Sequence, residues 1–146
     1  MLETKECTIN IISEGFIEAA NYCSIDAPAG VDEWELSSLT PAETEVVKAP
    51  RVKESVFSVE AKLKVSHEWT SPRTGKKSGT LAIVEGVRFW VREDALKGGI
   101  IDLDVLRPVS RLGGITYGRT TEVFELPRPR FEEERGKGVI KDGEVN

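Results

Sequence analysis

The chain has 146 residues, which suits one domain, and its 39% hydrophobic and 31% charged residues are ordinary for a soluble fold. A formal net charge of −5 argues against nucleic-acid binding, which needs a surplus of Lys and Arg to neutralise phosphates. No apolar run approaches ~18 residues and the start, MLETKECTINII, lacks the pattern of a secretory signal, so no membrane association and a cytoplasmic location are expected.

In chain order, Thr8 to Ile12 (TINII) is short, β-branched and apolar, and predicts a strand. Ser13 is placed to cap a helix over SEGFIEAANYCS, where Phe16, Ala19, Ala20 and Cys23 recur at helical spacing. DEWEL predicts one helical turn, and Glu45 to Lys48 a short edge strand stopped by Pro50. From Phe57 to Trp69, apolar residues and His67 alternate with Ser, Glu and Lys. Period two over that length predicts a long strand with one buried face. TSPRTGKKSG is a hairpin connection, and Thr80 to Val91 is the return strand. Gly86 sits where its pattern changes, so a bulge or a close backbone approach is expected there. LKGGII turns the chain, and Glu122 to Leu126 predicts a last strand. Residues 1–127 form the expected domain. Residues 128–146 are charged, Gly-rich and aperiodic, and predict a disordered tail. The fold class is therefore mostly β with one or two helices, and long strands favour a barrel over a sandwich.

Three stretches carry a family resemblance: NIISEGFIEAANYCSIDAPAGVDEWELSSLTP (10–41), GTLAIVEGVRFWVREDAL (79–96) and IIDLDVLRPVSRLGGITYGRTTEVFELPRP (100–129). In that order they resemble the flavin reductase-like family, over about residues 2–129. The resemblance implies an FMN-binding split β-barrel that reduces flavin with NAD(P)H, and a homodimer or higher homo-oligomer acting on a small-molecule ligand. It also implies a shortened barrel, corresponding to the family's C-terminal portion, without the N-terminal strands that supply much of the FMN-phosphate contact. Trp90 stands where relatives often carry a histidine.

The resemblance points to Asn10, Arg111, Gly113, Gly114 and Tyr117 as cofactor-binding residues. Gly113 and Gly114 let backbone N–H groups approach an anion closely. Arg111 and Arg119 suit phosphate, and Tyr117 suits a flavin ring or a subunit contact. A tight turn with its arginines folded onto surface carboxylates explains the same residues. Asn10 can reach a flavin, or cap the helix that follows Ser13. His67, inward on the long strand, is either a hydrogen-bonded core residue or the general acid or base of an open pocket. Glu85 falls in the inward register, where burial would raise its pKa, unless a bulge turns it out. With one histidine and two separated cysteines, Cys7 and Cys23, no metal site is expected. The leading expectation is a flavin reductase. A cofactor-independent isomerase or cyclase in the barrel's pocket, and a non-catalytic family member, are the alternatives.

Overall fold

The period-two run that begins at Phe57 forms β4 (Phe57–Thr70), and the chain returns along it as β5 (Lys77–Val91). The structure is a computed structural model, and it describes residues 1–138. β1 (Glu6–Asn10) pairs with the other edge of β4, which gives an antiparallel sheet in the order β1-β4-β5. Cys7 faces Ala61 and Ile9 faces Val59 across that edge. Between Glu60 and Ala61 the partners on β5 jump from Arg88 to Gly86, so Val87 is an extra residue. This is the bulge expected at Gly86. A Cβ on Gly86 would lie 3.0 Å from the Phe89 ring and 3.1 Å from Val59, so the glycine also permits a close approach.

Around the sheet the elements are short. A 3-10 turn at Glu14–Phe16 leads into α1 (Ile17–Tyr22). Ser13 does not cap it by its side chain. Ser13 instead bridges Pro108 in antiparallel fashion, and its buried hydroxyl has no hydrogen-bond partner among the described residues. α2 (Glu33–Ser37) is the DEWEL turn, capped by Asp32, which accepts the Trp34 N–H at 2.9 Å. Glu45 to Lys48 is not a strand. The ladder there joins β2 (Pro41–Ala42) to β3 (Arg51–Val52), and residues 43–50 loop out between them. β6 (Leu96–Lys97) and β7 (Ile100–Ile101) pair about Gly98 and Gly99, both at positive φ. α3 (Leu103–Leu106) follows, capped by Asp102. The RPVSRLGGITYGRT stretch is a second hairpin, β8 (Val109–Gly113) and β9 (Thr116–Arg119). Glu122 to Leu126 joins no ladder among the described residues and is irregular rather than a strand. α4 (Phe131–Gly136) forms within the expected tail, and residues 139–146 of that tail lie outside the described residues. No helix among the described residues is long and apolar enough to cross a membrane.

Val56, Ala95 and Leu106 form the core, with Ile11, Phe57, Val91, Ile101, Leu103 and Val105 packed on them. The core therefore sits where β4 begins and β5 ends. The long hairpin is buried differently from expectation. Ser58 and Glu60, read as facing solvent, are buried, while Val65, Trp69, Leu81 and Ile83 are exposed. β1 lines β4 only from Ser58 to Lys62, so the outer half of the hairpin runs past its neighbours. The molecule exposes 11638 Å². A compact monomer of 16.1 kDa would expose roughly 7,400 Å².

Candidate functional site

The second hairpin holds four of the residues singled out by sequence. Gly113 and Gly114 adopt φ of 113° and 52°, and nothing lies within 4 Å of a Cβ built on either. Glycine is needed for that turn, and the turn brings Arg111 back over Tyr117. The Arg111 guanidinium donates to Tyr117 Oη at 3.0 Å and to the Gly114 carbonyl, and lies 5.4 Å from the Tyr117 ring centre. Tyr117 in turn donates to Asn21 Oδ1 at 2.9 Å, which ties the hairpin to α1. Between them is a cleft of about 230 Å³ with Ile17, Ala20 and Val109 among its apolar walls and Asn21, Arg111 and Tyr117 on its polar rim.

A second polar group adjoins this hairpin. Arg119, on β9, donates through Nε to Glu14 Oε1 at 2.5 Å, and Arg107 donates to Glu14 Oε2. Arg107 holds this position at φ 44°, as the left-handed cap of α3. The Arg119 hydrogen bond holds the Glu14 carboxyl below the ordinary glutamate range; desolvation opposes it and Arg107 adds to it. A cleft of about 220 Å³ lies against this trio, with Leu103, Pro108 and Thr120 among its walls. Arg119 thus folds onto a carboxylate together with Arg107, whereas Arg111 meets the Tyr117 hydroxyl and a backbone carbonyl instead.

The most deeply placed charge was not among the expected site residues. Glu60 is fully buried on β4. Its oxygens accept the backbone N–H groups of Glu45 (3.0 Å), Val46 (2.6 Å) and Val47 (2.9 Å), and the Trp90 indole N–H (2.7 Å). Burial alone would raise its pKa. The donors from Glu45, Trp90, Val46 and Val47 outweigh burial and hold it down to about 2. The Trp90 ring lies 4.4 Å from the Arg51 guanidinium and 5.4 Å from that of Arg88, and Arg88 pairs with Glu45 at 3.0 Å. Glu60 is held as an anion near neutral pH and pins the 43–50 loop across the sheet. Its signal in the sequence was an aromatic, Trp90, on the nominally polar face of β5 beside Arg88.

The other expected residues lie elsewhere. Asn10 neither caps a helix nor joins the Arg111–Tyr117–Asn21 chain. Its Oδ1 accepts from the Val52 N–H at 2.9 Å and the Ser58 hydroxyl at 2.8 Å, fastening β1 to β3 and β4. His67 is exposed rather than inward, edge-on to Trp69 with ring centres 6.1 Å apart. Glu85 is also exposed and pairs with Lys64 at 2.5 Å. Their ladder partners are Leu81 and Lys62, so the two share no pocket. Among the described residues the two are not brought together into an acid–base site, because the hairpin's outer half encloses no interior there.

The flavin reductase like domain profile matches residues 1–106, most of the chain. The chain belongs to that family. The match contains the 10–41 and 79–96 stretches and ends before RLGGITYGR. Nitrilotriacetate monooxygenase component B from Bacillus cereus superimposes with a TM-score of 0.79 at 33% identity, over 86% of this chain and 61% of that chain. Flavoredoxin of Desulfovibrio vulgaris gives 0.70 at 27% identity, over 86% and 64%. A Shewanella frigidimarina protein described as a flavin reductase with split barrel domain gives 0.69 at 28%, over 84% and 60%. The fold is accordingly a split β-barrel. A curated protein of Halalkalibacterium halodurans is 35% identical over 136 residues, 91% of this chain and 63% of that protein. The chain therefore spans about three fifths of the length of such relatives.

Proposed function

We propose that the protein binds FMN and takes part in its reduction by NAD(P)H. The observation that supports this is family membership together with the cleft between α1 and the β8–β9 hairpin, where apolar walls meet an aromatic ring and a guanidinium. That donor set fits the group. Tyr117 and the apolar wall from Ile17 to Val109 suit one face of a flavin ring. Arg111 and Arg119 suit a phosphate, and Arg119 commits only its Nε to Glu14. The open Gly113–Gly114 turn leaves backbone free for close approach. A bound flavin supplies the hydride chemistry, so the chain's own residues need only bind, orient and exclude water. This is consistent with His67 and Glu85 standing in solvent.

An absorption spectrum with FMN, followed by calorimetric titration, tests the reading. FMN at about 100 times its Kd is expected to stabilise the fold by about 2.7 kcal/mol. Arg111→Ala removes a charge-assisted contact and is expected to weaken FMN binding about tenfold or more. A colourless protein with no thermal shift at saturating FMN sinks the proposal. So does a cleft variant that binds FMN like the parent.

A further inference from the structure

Arg107 and Arg119 reach one carboxylate from two separate elements, the cap of α3 and the end of β9. Arg107 holds Oε2 of Glu14 through Nη2 and Arg119 holds Oε1 through Nε, so each guanidinium commits one nitrogen there. The Glu14 side chain is 26% exposed, while those of Arg107 and Arg119 are 61% and 67% exposed. The carboxylate is enclosed by two cations that keep most of their donors uncommitted, and the trio carries an excess positive charge. The backbone is a second, independent sign. Arg107 sits at φ 44° directly before Pro108, where glycine is the ordinary cap and where a following proline favours extended backbone. Strained backbone of this kind concentrates at ligand sites. The cleft of about 220 Å³ beside the trio is lined by Thr120 and Thr121, whose hydroxyls suit anion oxygens, and by the exposed Asp104 and Glu122.

We propose that Arg107 and Arg119 form a site for the terminal phosphate of a ligand, and that Glu14 is its internal stand-in, displaced when the phosphate enters. A carboxylate and one edge of a phosphate present paired oxygens in the same way, so both fit one fork of guanidinium donors. A phosphate monoester carries a charge of about −1.5 to −2 at neutral pH and matches two guanidinium groups better than a carboxylate does. A singly charged anion would only exchange one charge for another, with Asp104 and Glu122 opposing it. A dianion gains by the exchange. Val109 faces Arg119 and Arg111 faces Tyr117 across the hairpin, so all four side chains leave one face of it. Arg119 lies about 7 Å along β9 from Tyr117. A ligand with its ring at Tyr117 therefore has room to carry a phosphate to Arg119. This inference rests on the reading that the hairpin serves a phosphorylated ligand, and inorganic phosphate tests it without flavin.

Inorganic phosphate is titrated into the full chain at low ionic strength and followed by calorimetry. The parent is expected to bind it weakly, and Glu14→Gln about tenfold more tightly, because the internal competitor is gone. Arg107→Gly, which suits the left-handed backbone, and Arg119→Gln are each expected to lose this binding in the Glu14→Gln background. A gain in affinity does not arise from a damaged fold, so Glu14→Gln is decisive even if its melting temperature falls. FMN against riboflavin and NADPH against NADH then identify what carries the phosphate. Glu14→Gln is expected to tighten the phosphorylated member of at least one pair and leave its counterpart unchanged. Phosphate affinity that is unchanged or lower in Glu14→Gln overturns the proposal, as does binding that survives either arginine substitution. Ligand pairs in which both members respond alike, or neither responds, also overturn it. A protein that binds FMN but shows no Glu14 effect loses this inference and keeps the flavin reading. A protein that stays colourless with FMN yet passes the phosphate and NADPH tests keeps this inference and loses that reading.

Discussion

The two halves of the β4–β5 hairpin share one ladder and one sequence pattern, yet they are stabilised in opposite ways. The inner half buries polar side chains. Glu60 is enclosed where the 43–50 loop crosses it and Ser58 where it meets Asn10 beside β3, and each carboxylate oxygen of Glu60 is met by donors. The outer half exposes apolar side chains because, among the described residues, β1 pairs with β4 only as far as Lys62. Alternation alone therefore decides that a strand forms. Which face is buried depends on what crosses it.

Removing Glu60 breaks the inner half most severely. Glu60→Ala strands three backbone N–H groups and the Trp90 indole in a buried site. A loss of about 3–5 kcal/mol is expected, read as a lower urea midpoint at unchanged slope. Glu60→Gln keeps the shape and turns one acceptor into a donor facing N–H groups. Its diagnostic is the acid limb of stability. A carboxyl depressed to about 2 in the fold stabilises fully above its unfolded pKa of about 4.3. That stabilisation is lost as pH falls from there through 2. The parent should lose stability across this window, and Glu60→Gln should be flatter there. Equal acid limbs would mean that the carboxylate is not held by these donors.

Trp90→Phe is a milder probe of the same clamp. It deletes the 2.7 Å indole bond and weakens the stack under Arg51, while Glu60 keeps its three backbone donors. A loss of about 1–2 kcal/mol is expected. It should be much smaller in a Glu60→Ala background, since the two residues act together. Additive losses would break the link between them.

The outer half sharpens the comparison from the other side. Ile83→Thr should change stability by no more than about 0.5 kcal/mol. The side chain is already more than half in solvent. The same change at an enclosed core position costs several times more. A large loss would show that the outer face is packed rather than in solvent.

This contrast also explains how much was legible in the sequence. Period two and Gly86 located β4, β5 and the bulge because both are local signals. The DEWEL run marked α2 for the same reason. The Ser13 cap failed because Ser13 is drawn into a bridge with Pro108, some ninety residues away. Glu45 to Lys48 failed as a strand because its N–H groups are taken by Glu60, a side chain rather than a ladder. Of the candidate site, the Arg111–Gly113–Gly114–Tyr117 group was legible, since a glycine pair and its neighbours fold on each other. Asn21, which joins them from α1, was not, because nothing local links residue 21 to residue 117.

The smallest expected effects test the two residues that the sequence placed inside. Glu85 and Lys64 form an exposed pair, each side chain more than half in solvent. Such pairs contribute about 0–0.5 kcal/mol, because water screens the charges and both side chains lose freedom in forming them. Glu85→Ala should therefore leave stability almost unchanged and the salt dependence slightly reduced. His67→Ala removes only an edge contact to Trp69. Neither residue lies near the Arg111–Tyr117 chain by any hydrogen bond or ladder pairing. Flavin binding and the pH profile of flavin reduction should thus be the same in both variants as in the parent. A pH profile displaced in either one would mean that the outer half of the hairpin is completed into a reactive pocket by another chain, and the division between the two halves would have to be redrawn.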